Sequence, residues 1–387
     1  MACRKSRDIL FPPRRQLNPA SPHQCNRIRG KETTVRALVL HGPKDLRLDD
    51  VPEPELRPGT VKIKVEWAGI CGSDLHIYGR GPVGSSMTGK PHPITGEVGR
   101  ILGHEFAGRI TEVATDVAGF GPGDSVAVEP ILYDGTCVWC RRGDYNLCDK
   151  MGFVGLDGWG GGFSEYVVLP AHMAHQLPTT MGTDLGALVE PLSVAWSAVR
   201  RSGIRAGDTA LVIGAGPVGL ALLLCLRAAG ARFVAISQPA GTRGERAVAF
   251  GADLVLDPRT EDVAARVREQ TDGLGVHVSF DTAGSKSTLD TALAAIRKRG
   301  RAVNLALWEH PVEIDPMPML LGETSYTASN AYGAGIYRDV IAAMADGRLD
   351  ATQMITERIA LDNAVTDGFH MLLDGGIASQ VKVLVHP

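Results

Sequence analysis

The stretch DTALVIGAGPVGLALLLCLRAAG (208–230) limits the fold of this chain more than any other. An apolar run of strand length ends at Gly214, Gly216 and Gly219, and a run of helix length follows and stops at Gly230. Glycines at that spacing, between a strand and a helix, build a turn suited to a diphosphate. Gly214 permits the tight reversal, Gly216 lets the backbone approach the ligand, and Gly219 allows the helix to lie close on the strand. The helix N-terminus adds a partial positive charge. Gly214, Gly216, Pro217, Val218 and Gly219 are therefore candidate dinucleotide-binding residues.

The rhythm of the surrounding sequence agrees with that turn. RFVAIS (232–237), ADLVLD (252–257), VHVSFDTAG (276–284) and RAVNLAL (301–307) read as strands. Helices are predicted over RGERAVAFG (243–251), EDVAARVREQ (261–270) and STLDTALAAIRKRG (287–300). Repeated βα units imply a doubly wound parallel sheet with helices on both faces. Before about Pro178 the pattern differs, with short runs such as VKIKVEWAG (61–69), GRITEV (108–113) and DSVAVEP (124–130). Their near-alternation of apolar and polar residues predicts half-buried strands. We expect an α/β chain of two domains: a strand-rich unit from 35–188 and 322–387, and a nucleotide unit over 189–321.

A length of 387 residues accommodates both units. The net charge of −3 gives no support to a nucleic-acid partner. The apolar run around Leu220–Leu226 is too short to span a bilayer. Of seven cysteines, Cys137, Cys140 and Cys148 cluster, which suggests metal ligation and a reducing, cytoplasmic setting. The first 30 residues carry seven Lys/Arg against one acid, with Pro12, Pro13, Pro19 and Pro22. Those prolines break any amphipathic targeting helix, so a disordered extension over 1–34 is expected before the strand-like VRALVL.

Three further phrases carry chemistry: CGSDLH (71–76), GHEFAG (103–108) and ALVEPLSVAW (187–196). They supply Cys71, His104, Glu105 and Glu190, a thiolate, an imidazole and two carboxylates suited to catalytic Zn²⁺. Cys71 and His104 with one of the two glutamates leave a position open for a substrate oxygen. At the end of the strand 232–237 the sequence ISQPAGTR places Gln238 where an acid would bind a ribose 2′-hydroxyl. Ser237, Gln238 and Arg243 form a set able to receive a 2′-phosphate, so of NAD and NADP the reading favours NADP.

In this order, the phrases resemble the zinc-containing medium-chain dehydrogenases/reductases, the superfamily of alcohol and sorbitol dehydrogenases. The resemblance runs from residue 35 to the C-terminus. It implies a GroES-like catalytic domain, a Rossmann-type cofactor domain, and hydride transfer between a nicotinamide and a secondary alcohol. It further implies zinc on Cys71, His104 and Glu190, with Glu105 moving in and out of the coordination shell. Ser73 and His76 match the family's proton relay. DGTCVWCRRGDYNLC (134–148) resembles a structural-zinc lobe in which Asp134 replaces the first of four cysteines, beside Cys137, Cys140 and Cys148.

KPHPIT (90–95), MGFVGLDGWGGGFSEY (151–166) and NLALWEHPVEIDPM (304–317) most resemble the members acting on 2,3-butanediol and acetoin. A small vicinal diol or hydroxyketone is thus expected, in a pocket lined partly by Trp67, Ile77, Phe153 and Trp308. Polyol, sugar or threonine dehydrogenases on the same scaffold are the alternatives. A non-catalytic nucleotide-binding protein is the rival from another class, and six intact site residues oppose it. A homodimer or homotetramer is expected.

Overall fold

The computed structural model describes residues 33–81 and 89–387. The predicted extension, save its last two residues, and residues 82–88 of the connection between Cys71 and His104 lie outside them. The first strand starts at Thr34.

Two large sheets dominate. One is six-stranded and parallel, with Leu254–Leu256, Phe233–Ser237, Thr209–Ile213, Val276–Asp281, Ile296–Asn304 and Ser325–Ala328 side by side. In chain order this is 3-2-1-4-5-6, the doubly wound arrangement the glycine turn implies. Two details depart from expectation. The helix predicted over 287–300 ends at Ala295, because Ile296 turns inward to pair with Val276 and starts a strand. Its continuation is bent by Arg299 at φ 60°. The sixth strand, Ser325–Ala328, lies past the expected limit of 321 yet hydrogen-bonds within this sheet.

The other sheet has seven strands, in the order Ile355–Ala360, Lys382–His386, Thr60–Gly69, Glu105–Val113, Ser125–Val128 and Ala174–Gln176. Tyr166–Pro170 pairs on Thr60–Gly69 off that path. The C-terminal strand thus returns to the N-terminal half, antiparallel to Thr60–Gly69. Helix Val189–Ser202 joins the two parts. Buried Leu188, Leu192, Ala195 and Val199 belong to one apolar cluster with Ala107 and Ala127 of the antiparallel sheet and Leu220–Leu226 of the helix after the turn. A second cluster fills the strand-rich part around Val61, Ile63, Phe106 and Phe163.

The glycine turn has the geometry its sequence requires. Gly214 adopts φ 99°, in the region that L side chains avoid. A Cβ at Gly219 would stand 1.9 Å from the Gly214 carbonyl oxygen, so the helix Pro217–Ala228 can approach the strand only with glycine there. At Gly216 a Cβ would meet nothing within 4 Å. Gly219→Ala is therefore expected to destabilise the fold by about 2–3 kcal/mol through overpacking against backbone. Gly216→Ala should leave stability within about 0.5 kcal/mol. Denaturant unfolding of the two variants checks this, and equal losses would contradict it.

Candidate metal centre and cofactor turn

Cys71 and His104 are 33 positions apart, and strand pairing brings them together. Thr60–Gly69 and Glu105–Val113 run antiparallel with Gly69 opposite Glu105. The residues just past one strand end and just before the other strand start are therefore neighbours. Cys71 Sγ, a His104 ring nitrogen and a Glu105 oxygen lie within 4.8 Å of one another. Glycine at 69 leaves room for this carboxylate, since a Cβ there would stand 2.4 Å from Glu105 Oε2.

His104 is buried, and its two nitrogens face different groups. Nε2 is 3.3 Å from Ser73 Oγ, while Nδ1 is 3.5 Å from Asp74 Oδ1. Asp74, fully buried, also accepts the Cys71 N–H at 2.9 Å and the Gly103 N–H at 3.3 Å. One carboxylate thus ties both ligand-bearing segments together and orients the imidazole, as outer-shell carboxylates do around metal-binding histidines. Burial opposes protonation of His104, but facing Asp74 and Cys71 prevails and raises its pKa well above the ordinary value. A half-buried thiol beside a buried imidazole and buried carboxylates is a donor set that fits a divalent cation.

Glu105 has a second partner. Buried Lys382, at the start of the C-terminal strand, places Nζ 2.5 and 2.6 Å from its two oxygens. Burial lowers the Lys382 pKa, but Glu105 and Cys71 more than offset that and raise it. Glu190, in the first turn of Val189–Ser202, is buried beside this group but outside the 4.8 Å set. Burial pushes its pKa up to about 7, against the pull of His104, with Glu105 raising it further and Lys382 and Tyr332 holding it down. Ser73 and His76 share the helix Gly72–Arg80, and His76 is exposed.

Among the expected pocket residues, Phe153 has its ring 6.0 Å from that of the candidate ligand His104. Trp67 packs instead on His386 and beneath Arg358, and Ile77 is buried in the strand-rich core. Trp308 donates its indole N–H to Asn304 at the end of a parallel strand. A cavity of about 600 Å³ lined by Pro54, Trp159 and Tyr166 touches none of the ligand residues.

Asp134, Cys137, Cys140 and Cys148 form a second group whose ligand atoms lie within 4.8 Å of one another. Cys137 and Cys140 sulfurs are 3.4 Å apart and unbridged. Backbone N–H groups of Cys140, Asp134 and Lys150 point at the sulfurs of Cys137 and Cys148, at 3.4–3.5 Å. Hydrogen bonds from Cys137 and Thr136 N–H hold the Asp134 carboxyl well below the usual range. Cys140 N–H lowers the Cys137 thiol, whereas burial pushes Cys140 to about 12. Three sulfurs and a carboxylate converging without a disulfide fit a tetrahedral metal.

At the nucleotide turn, Ser237 is buried and its carbonyl accepts the Gly214 N–H. The Gln238 side chain accepts the Ala215 N–H at 2.8 Å, so it braces the turn itself. Arg243 donates to the Ile377 carbonyl at 3.0 Å. Asp257, whose carboxylate accepts the Ala240 N–H of the same loop, is paired with Arg259.

Sequence reading missed Asp74 and Lys382. Asp74 stands within CGSDLH, at the third position of its helix, where a carboxylate reaches back to the preceding N–H. Lys382, 277 positions from Glu105, left no local sign beyond being a lysine in an otherwise apolar strand.

Residues 57–179 match the alcohol dehydrogenase GroES-like domain, and residues 217–346 match the zinc-binding dehydrogenase family. The chain is 40% identical to the (R,R)-butanediol dehydrogenase of Bacillus subtilis, covering 91% of this chain and 100% of that one. With the enzyme of the same name from Neisseria gonorrhoeae it shares 37% over 91% and 99%. The crystal structure of 2R,3R-butanediol dehydrogenase from B. subtilis superposes with a TM-score of 0.85, at 39% identity over 91% and 99% of the chains. A zinc-binding dehydrogenase from Sinorhizobium meliloti bound to NADP gives 0.80 at 30% identity, over 92% and 100%. With these matches over nine-tenths of its length, the chain belongs to the zinc-dependent, NAD(P)-dependent alcohol dehydrogenase family, which acts on CH–OH groups through a GroES-like and a Rossmann-type domain.

Proposed function

We propose that this enzyme interconverts a small vicinal diol and its hydroxyketone, with 2,3-butanediol and acetoin as substrates. The observation that carries the reading is the convergence of Cys71, His104 and Glu105 beside Phe153, in a chain 37–40% identical to butanediol dehydrogenases. Cys71 and His104 hold the catalytic zinc with Glu190, and Glu105 is the carboxylate that exchanges between the ion and Lys382. When bound, zinc supplies Lewis acidity that eases loss of the hydroxyl proton, and the nicotinamide accepts the hydride. Ser73, 3.3 Å from His104 Nε2, would relay that proton, taking it up as its own hydroxyl proton passes onward. His76, exposed on the same helix, would release the proton to solvent as the last member of a relay that includes the cofactor ribose. Phe153 keeps one side of the site apolar, matching the methyl groups of a short diol. The strand-rich unit carries this chemistry, and the parallel sheet with its strand Ser325–Ala328 carries the cofactor.

Cys71→Ala is expected to lower kcat at least a thousandfold with 2,3-butanediol while changing dinucleotide affinity less than threefold, because the glycine turn lies on the other sheet. Steady-state kinetics over diols and polyols, with dinucleotide binding by fluorescence, check both. Higher kcat/KM for sorbitol than for 2,3-butanediol would instead favour the polyol reading.

The lobe of Asp134, Cys137, Cys140 and Cys148 holds a second, structural zinc. Metal analysis should find two zinc ions per chain, falling to about one in Cys140→Ser, with a lower thermal midpoint because structural-metal binding is folding energy. One ion in the unaltered protein would refute the second site.

The enzyme is cytoplasmic and forms a homodimer or homotetramer. Its described cysteines are free thiols, and no described helix is long and apolar enough to cross a membrane. The edge strand Ser325–Ala328, beside exposed Leu320 and Leu321, is a surface a second copy would cover. A monomeric mass in sedimentation would exclude that assembly.

NADP is the preferred cofactor, because Gln238 carries no charge to repel a 2′-phosphate and Asp257 is neutralised by Arg259. Gln238→Glu should shift the kcat/KM ratio toward NAD about tenfold, the equivalent of about 1.4 kcal/mol. Strong NAD preference in the unaltered enzyme, unmoved by this change, would place the discrimination elsewhere.

A further inference from the structure

Asp74 is one buried carboxylate close to the metal ligands. Asp157 is another, 2% exposed, and the chemistry above makes no use of it. It lies in the turn that follows Phe153, whose ring stands 6.0 Å from that of His104. Asp157 Oδ2 accepts the Phe153 N–H at 2.9 Å, and the Asp157 N–H donates to the Phe153 carbonyl at 2.7 Å. One residue therefore engages both main-chain polar groups of Phe153. A carboxylate is costly to bury unless its hydrogen bonds are made, and here one of them goes to the residue that presents the aromatic ring.

The turn itself is tightly placed. At Gly155, φ 82°, a Cβ would stand 2.1 Å from the Gly103 carbonyl oxygen and 3.0 Å from the His104 nitrogen, so the turn rests directly on the ligand segment. The segment 92–99 grips the same turn. The Thr95 hydroxyl donates to the Asp157 carbonyl at 2.7 Å, and the Glu97 carboxylate accepts the Trp159 N–H at 2.9 Å. A Cβ at Gly99 would stand 2.0 Å from the Leu156 carbonyl oxygen. His92 is buried in the same place, its Nδ1 accepting the Ile94 N–H at 3.3 Å. His92 Nε2 and Asp157 Oδ2 stand 2.6 and 2.8 Å from the point a Cβ of residue 152 would occupy, and glycine at 152 leaves room for both. The place of Phe153 is thus set by groups outside the metal-donor set.

We propose that Asp157 is a specificity-determining positioning residue. By holding the main chain of Phe153, from a turn gripped by Thr95, it fixes where the aromatic ring stands beside the metal site and so which substrates fit there. The inference rests on the reading of Phe153 as the apolar wall of the substrate site. A wall held in place favours the methyl ends of a short diol over the hydroxylated chain of a polyol. Loss of one well-placed apolar contact in such a pocket changes discrimination by about tenfold or more.

Asp157→Ala is expected to raise KM for 2,3-butanediol about tenfold with kcat changed less than about threefold, and to lower the kcat/KM ratio of 2,3-butanediol to sorbitol. Zinc content and the KM for the dinucleotide should stay as in the unaltered protein, because Asp157 lies in neither the donor set nor the glycine turn. Asp157→Asn keeps an oxygen for the Phe153 N–H and should recover most of the loss. Thr95→Val perturbs the same turn without touching a buried charge and should raise the same KM severalfold; it decides the matter if Asp157→Ala fails to fold. Since Asp157 acts through Phe153, neither change should add more than about twofold in a Phe153→Ala background. A KM within about twofold of the unaltered value in both Asp157→Ala and Thr95→Val, or effects that multiply in full with that of Phe153→Ala, would overturn the proposal. Phe153→Ala alone tests the reading beneath it. If it leaves the KM and the substrate ratio unchanged, Phe153 is no wall of the site and that reading fails; if it raises KM while the Asp157 and Thr95 variants do not, only the role of Asp157 fails.

Discussion

The candidate metal site depends on one strand pairing. With Gly69 set opposite Glu105, the residues just beyond that pair, Cys71 and His104, meet at one sheet end, and no loop has to place them. Main-chain hydrogen bonds fix this register, and a slip of one residue would turn Glu105 to the other face of the sheet. The third neighbour in the same sheet, Lys382–His386, is held by the Ile70 N–H to the Val383 carbonyl, which sets Lys382 against Glu105. Three strands distant in sequence therefore deliver a thiol, an imidazole, a carboxylate and an ammonium to one buried volume. Rigid sheet ends place ligands more accurately than free loops, which is what a metal geometry demands.

Such a concentration of charge beneath the surface must be balanced within itself, since isolated buried ions are expensive. Asp74 faces His104, Lys382 faces Glu105, and Glu190 is left with neighbours that oppose each other: His104 and Lys382 favour its charge, Glu105 and burial disfavour it. Burial and these neighbours together push the Glu190 pKa up to about 7. Glu105 is paired directly with Lys382 through both of its oxygens. The two glutamates thus sit in different charge surroundings, a difference the letters of the sequence do not carry.

The parts legible in the sequence are those whose physics is local. A glycine turn between an apolar strand and helix announces itself, as do Cys71 and His104 in their short phrases, and the doubly wound sheet follows from repeated βα units. The parts that were not legible depend on contacts between distant segments. Lys382 reads as one lysine in an apolar strand. The predicted helix over 287–300 overran because IRKRG continues a helical charge pattern, whereas pairing of Ile296 with Val276 decides its state. The neighbours of Trp67 and Ile77 are likewise set by segments distant from them in sequence. In the strand, alternation sends Trp67 toward His386, and in the helix Ile77 faces the core.

Asp134 shows how a departure from the family pattern can preserve what matters physically. Three thiolates and one carboxylate bring the same total charge as four thiolates, so a divalent ion would be neutralised to the same degree. The carboxylate is a harder donor, and its ionised state has to be secured by other means. Here the N–H groups of Thr136 and Cys137 bind one oxygen at 2.8 and 2.9 Å, and Lys150 stands 3.6 Å from the other. One oxygen therefore holds the loop while the other stands near Lys150. A cysteine at this position would offer a softer ligand but would lose the two short bonds that close the 134–137 turn. In this lobe the residue that departs from the pattern also shapes the turn presenting Cys137 and Cys140.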